Sequence, residues 1–184
     1  MKKTKKTKIE EISKEKKKWK IFYYFIFILG ITLLFFEILI FRKTLVSVYV
    51  PIFIILIVGF LAFYLSKKHL KEIYPISSNF ILIVQNLGSW GFISCYLFMA
   101  ANYYLSDTIT KEFKTVIKEK SSMPGPKGSR DKRDPLVRFN YFGSEKELVF
   151  KFKETEKVNS ADSVKVIIKK GGVGFDVLES YDVF

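Results

Sequence analysis

The sequence predicts a membrane protein: a three-helix transmembrane bundle followed by a small antiparallel β-domain. Three observations predict it. Charge and apolar residues are segregated along the chain, three apolar runs are each long enough to span a bilayer, and after Leu105 the hydrophobic period changes to two. Residues 1–20 hold ten Lys and three Glu, and residues 21–65 are almost all apolar. Residues 106–184 hold 16 Lys and Arg against 13 Asp and Glu. Such segregation means two solvents, lipid and water.

The first apolar run is Ile21 to Phe41, closed by Arg42 and Lys43. At helical rise it covers about 30 Å, one hydrocarbon core. It is too long for the apolar part of a signal peptide, and no small-residue cleavage pattern follows, so it reads as an uncleaved anchor. The second run is Leu45 to Leu65, with Pro51 in its first two turns, where a helix tolerates proline. The short connection makes a tight antiparallel hairpin of the two helices. The third run, Phe80 to Leu105, contains Gln85, Asn86, Gly88, Gly91 and Asn102 but no charge, with Ser78 or Asn79 as its cap.

Orientation follows from the lysines. The basic tail of residues 1–20 and the Lys67, Lys68 and Lys71 loop both belong on the cytoplasmic side. Three spans then carry the C-terminal domain outside a bacterial plasma membrane. Trp19, Tyr23, Tyr24 and Tyr64 mark the inner boundary, and Tyr103 and Tyr104 the outer. The tail itself is low in complexity, so disorder or a frayed helix is expected.

In residues 106–184, Val137, Phe139 and Tyr141 alternate with polar residues, as do Leu148, Phe150 and Phe152, then Val164, Val166 and Ile168. Val173, Phe175 and Val177 form a fourth run, and Ile109 to Ile117 a weaker one. This predicts about five antiparallel strands, with hairpin connections at 143–146 and 169–172, able to fold independently of the helices. Residues 121–135 carry three prolines and two glycines and predict a flexible loop.

Candidate chemistry is sparse. Glu37 is the one carboxylate inside a span. By depth it falls near Tyr49 and Tyr96, which would give an intramembrane polar cluster. The competing reading is that it snorkels beside Arg42 or Lys43. Gln85, Asn86, Gly88, Gly91 and Cys95 offer small and polar residues for helix packing, within the bundle or in a dimer. Lys127, Arg130, Lys132 and Arg133 could meet an anionic surface, or form a solvated loop.

Several classes are excluded or disfavoured. With a single cysteine, no intrachain disulfide and no Cys-based zinc site can form. His69 is the only histidine and lies in the cytoplasmic loop, so no Ser-His-Asp or Cys-His set assembles outside. Gly171, Gly172 and Gly174 are turn and bulge glycines, because no Gly-Lys-Ser/Thr follows them and no helix opens after them. The +13 net charge sits mainly in the flank of the first span, which argues against nucleic acid as a partner. No cofactor, metal or small-molecule ligand is predicted.

Three further pieces stand out: Asn102–Leu105 at the end of the last span, Pro124–Arg130 with its Pro-Gly-x-x-Gly-x-basic pattern, and Lys169–Phe175. In these the chain resembles a group of small bacterial polytopic membrane proteins of the Bacteroidota type, over the third helix and the tail domain. The resemblance implies the same layout and no particular activity. The expected role is a non-enzymatic envelope protein presenting its β-domain to a partner or to the membrane surface. The expected partners are the lipid bilayer and another membrane protein or a second copy of this chain. The alternatives are a toxin-immunity or accessory subunit of a membrane complex, and a small oligomeric transporter or channel.

Overall fold

The computed structural model describes residues 2–74, 78–125 and 132–184, with the backbone alone for residues 2–13. The chain divides into two compact units. One comprises Met1–Leu39 and Val48–Met99, the other Ile40–Ser47 and Ala100–Phe184. The second boundary corrects the expected one. Residues 106–184 are not a complete domain, because the connection between the first two helices and the end of the third belong to the same unit.

The helical unit is built from α1 (Lys2–Phe41), α2 (Tyr49–Ile73), α3 (Asn79–Asn86) and α4 (Phe92–Tyr104). A π-helical turn, Leu87–Gly91, joins α3 to α4. Three stretches, Lys14–Phe41, Tyr49–Ile73 and Asn79–Tyr104, are long and apolar enough to cross a membrane, with mean hydropathies of 2.5, 2.4 and 1.4. The basic tail is helical from Lys2, where disorder or fraying was expected. The second helix starts at Tyr49 instead of Leu45, because Thr44 and Leu45 form a short strand. Ser78 holds the N-cap position of α3 but makes no side-chain capping bond.

Packing in this unit follows a seven-residue stripe. Tyr23, Gly30 and Glu37 are the buried positions of α1 between residues 21 and 39. Gly30 meets Gly88, where a Cβ would overlap the Gly88 carbonyl oxygen. Glu37 meets Cys95, again seven residues on. Equal steps on two parallel helices are the mark of a left-handed, nearly aligned pair. The helix α2 packs against the same π turn, through Gly59 on Leu87 and Ile55 on Gly91. At the other end Tyr23, Leu70, Ile73 and Leu82 form a buried cluster with Phe63 and Tyr74 against it.

The β-unit holds seven strands in two sheets. The strands are β1 (Thr44–Leu45), β2 (Thr110–Val116), β3 (Glu119–Pro124), β4 (Arg133–Tyr141), β5 (Ser144–Val149), β6 (Ser163–Lys170) and β7 (Asp176–Val183). One sheet has the order β1-β7-β6-β2 and the other β3-β4-β5, with every pairing antiparallel. Only Ile117 and Lys118 separate β2 from β3. Ile117 N–H donates to Asp162 O at 3.0 Å on the first sheet, and Lys118 N–H to Arg138 O at 2.9 Å on the second. One bent path thus serves both sheets and turns a corner between them. Between the sheets lies the core, including Val137, Phe139, Leu148 and Phe150 from one and Val164, Val166 and Val183 from the other. A short helix, α5 (Thr155–Ser160), closes one end by burying Val158.

Three strand expectations need correction. Residues 121–124 and 133–135, expected in a flexible loop, are paired strand: Ser121 faces Leu136 and Pro124 faces Arg133. Phe152 leaves the sheet because its N–H donates to the Asp134 carboxylate at 3.0 Å, and a 3-10 turn begins there. The final strand starts at Asp176 instead of Val173, because the N–H groups of residues 172, 173 and 175 are bound by Asn102 and not by a neighbouring strand.

Candidate functional site

The intramembrane cluster of Glu37 with Tyr49 and Tyr96 does not form. Tyr49 is the first residue of α2 and is 67% exposed. Tyr96 follows Cys95, so it leaves the helix about 100° away from the side chain that meets Glu37. Matching residues by depth ignored the helix face. Nor does Glu37 snorkel: it is 5% exposed, and among the described residues it enters no ion pair. Its carboxyl is hydrogen-bonded with the Cys95 thiol.

Asn86 and Ser89 of the third helix bond to main-chain carbonyls and, for Asn86, to α2 as well. Asn86 Nδ2 donates to Leu82 O at 2.8 Å, and its Oδ1 accepts from Ser66 Oγ at 3.0 Å, which bonds α2 to α3. Ser89 Oγ donates to Gln85 O at 2.6 Å. Gly88 and Gly91 are the points of close approach to α1 and α2. Tyr23 Oη is 3.0 Å from His69 Nδ1, and Trp19 packs edge-on against the same imidazole.

The basic loop is only partly described. Lys127 and Arg130 lie outside the described residues. Arg133 is engaged within its own sheet, donating from Nε to Ser122 Oγ at 2.8 Å and from a terminal nitrogen to Ser122 O at 2.9 Å. Lys132 is exposed, its ammonium 6.0 Å from the Phe152 ring centroid.

The densest polar arrangement was not singled out from the sequence. It ties the β6–β7 connection to the end of α4 within the same unit. Asn102, fully buried, donates from Nδ2 to Phe175 O at 3.1 Å. Its Oδ1 accepts from Val173 N at 3.2 Å and Phe175 N at 3.1 Å, and its carbonyl accepts from Gly172 N at 3.0 Å. One asparagine therefore shapes the whole β6–β7 connection. Gly174 completes that loop with φ +103°, a backbone that favours glycine.

Lys146 on β5 makes the second tie. Its ammonium donates to Thr44 O at 3.0 Å and Val46 O at 2.6 Å, and lies 4.6 Å from the Phe41 ring centroid. The edge of β5 is thereby bridged to the edge of β1. Burial pushes the Lys146 ammonium down to about 8. Next to it, Tyr141 Oη donates to Asp176 Oδ2 at 2.6 Å. Burial first, and then this bond, hold the phenol above its usual range. A polar asparagine at the end of an apolar run was the visible signal for the first tie. Lys146 had none, because its partners are main-chain atoms a hundred residues away.

Among the described residues, no group of three or more His, Cys, Asp or Glu side chains is placed to hold a metal ion. No protein-family model, no curated protein and no solved structure matches the chain.

Proposed function

We propose that this chain is an integral protein of a bacterial plasma membrane that acts by contact and not by catalysis. Its N-terminus faces the cytoplasm, and its β-unit stands outside, where it meets a membrane-protein partner. The observation that carries the reading is β1. The turn between two helices fit to cross a bilayer is itself a strand of the β-unit, paired through Thr44 with Val177 and Leu45 with Asp176. A domain that uses the span ends as structural members is built into its anchor, not hung from a linker. That suits a fixed contact surface at the bilayer.

The orientation rests on the ten lysines before the first span and the lysines of the second loop. The contact role rests on the sequence, whose only histidine lies on the helical unit and whose only cysteine is buried there. Paired reporter fusions after Phe184 test the orientation: an export-dependent reporter should be active, and activity of a cytoplasmic one overturns the placement. Ion flux through vesicles holding the purified chain, abolished by Glu37→Gln, would replace contact with transport.

A further inference from the structure

The β4–β5 hairpin breaks two local rules at one residue. Its two-residue turn is Phe142–Gly143, with φ +44° at Phe142 and +85° at Gly143. Such turns want Asn or Gly at the first position, since a left-handed backbone is strained for a bulky side chain. Phe142 is also 83% exposed. Its ring touches those of Tyr141 and Phe113 at centroid distances of 4.8 and 5.7 Å, but only along one side. Within its own unit the residue is doubly unfavourable, and such outliers concentrate where a side chain works on something outside the fold.

The position of the hairpin says what that something is. Its base is fixed by the Tyr141–Asp176 bond, and Asp176 is the register partner of Leu45. Lys146, on its second strand, holds Thr44 O, Val46 O and the face of Phe41. Residues 42–48 join one stretch fit to span a membrane, ending at Phe41, to the next, starting at Tyr49. A seven-residue connection pinned by a span at each end lies at the bilayer surface. The hairpin is bound to that connection within its own unit. Leu105 and Ile109, on the stretch leading out of the third helix, are each 72% exposed as well. Arg42 and Lys43, on the pinned connection, supply charge for lipid phosphates.

We propose that the Phe142–Gly143 tip dips into the headgroup boundary of the same bilayer that the helices span, with Phe142 as an interfacial anchor. Exposed aromatic side chains favour that layer. The proposal rests on the membrane-spanning reading above. It gives the β-unit a hold on the bilayer, whereas the Asn102 and Lys146 ties lie within the unit itself.

The test uses the full chain in phosphatidylcholine–phosphatidylglycerol vesicles, with an environment-sensitive fluorophore on a cysteine at one of three positions. These are Phe142→Cys at the tip, Phe53→Cys on the exposed face of α2, and Asn159→Cys on α5. The parent chain, whose one thiol is buried, sets the labelling background. At Phe142 the probe should shift to the blue, be quenched several-fold by nitroxides high on the acyl chain, and be shielded from aqueous iodide. At Phe53 it should be quenched by nitroxides at mid-chain, and at Asn159 by iodide alone. If Phe53 behaves so and Phe142 behaves like Asn159, the anchor is refuted while the spans stand. Protection of Phe142 only in native membranes would assign the tip to a protein partner and equally overturn the proposal. If Phe53 itself escapes the lipid quenchers, the spanning reading falls and the anchor with it.

Discussion

The side-chain amide of Asn102 closes a two-way pair with the backbone of Phe175, donating to its carbonyl and accepting from its N–H, each at 3.1 Å. Gly172 and Val173 bond to the same residue. Asn102→Asp keeps the acceptor and loses the donor, setting a carboxylate against the Phe175 carbonyl in a fully buried site. The expected loss is about 1–3 kcal/mol per orphaned group, seen as a lower melting temperature of the purified chain in detergent. Asn102→Leu orphans the two N–H groups as well and should cost more. A melt unchanged in both variants would mean that the loop is shaped without Asn102.

Lys146 predicts an unusual pH dependence. Its ammonium falls to about 8 in the folded chain, against an ordinary 10.5. Below the folded value both states are protonated, and the folded state bears the full burial penalty. Between about 8 and 10.5 the unfolded chain binds more protons, so stability rises with pH across that window. Lys146→Met, which cannot titrate, should flatten the rise. Parallel thermal melts of the two proteins across the window check it. Identical slopes would show that the lysine keeps its ordinary affinity for protons.

Glu37 and Cys95 meet inside the helical unit. Glu37→Gln retains a partner for the thiol and should leave the melting temperature and expression near those of the parent. Glu37→Leu removes the bond and should cost about 0.6 kcal/mol, the average for a polar contact between membrane helices. A Gln variant that melts far lower would mean that the carboxylate is needed as an ion.

Two glycines separate close approach from backbone strain. A side chain at Gly30 would overlap the Gly88 carbonyl, whereas at Gly143, with φ +85°, nothing lies within 4 Å. Gly30→Ala must push α1 and the third span away from each other and should cost about 1–3 kcal/mol. Gly143→Ala pays only for a left-handed alanine, about 1–2 kcal/mol, with no change in helix packing. Cysteine cross-linking between α1 and α4 should therefore be perturbed by the first variant and not by the second.

The isolated fragment 106–184 lacks both β1 and Asn102, so it should melt well below the β-unit in the full chain and give a weaker β-type circular dichroism signal. Extending it to start at residue 100 restores the Asn102 clamp and should recover some of the loss. Equal melts of the two fragments would make the clamp dispensable.

The three long apolar helices and the antiparallel sheets were legible in the sequence, because lipid-length runs and period-two alternation are one-dimensional signals. Where expectation failed, the deciding partner was remote. Thr44 and Leu45 look like a span connection and become a strand only because β7 arrives beside them. Residues 121–124 read as the start of a Ser/Pro/Gly-rich loop and are strand because β4 pairs with them. Thr155–Ser160 is too short for periodicity to register, and its single buried apolar residue, Val158, gives no stripe. At the candidate sites, spacing located Gly88, Gly91 and Glu37 in the helical unit. It could not tell which face Glu37 shares, so Cys95 was grouped with the packing residues and Tyr96 with the carboxylate.

Lys146 reaches Thr44 across 102 residues of chain, and that distance is also an interval of synthesis. The first two helices are complete long before the strands that pair with the turn between them. The strand between them then waits with an unpaired edge and open carbonyls until β5 and β7 have been made and delivered. The earliest residues of the β-unit to be translated are thus among the last to find their partners. A chain arrested before Asp176 would keep that edge bare, distinguishable from the finished protein by any protease that recognises unpaired strands.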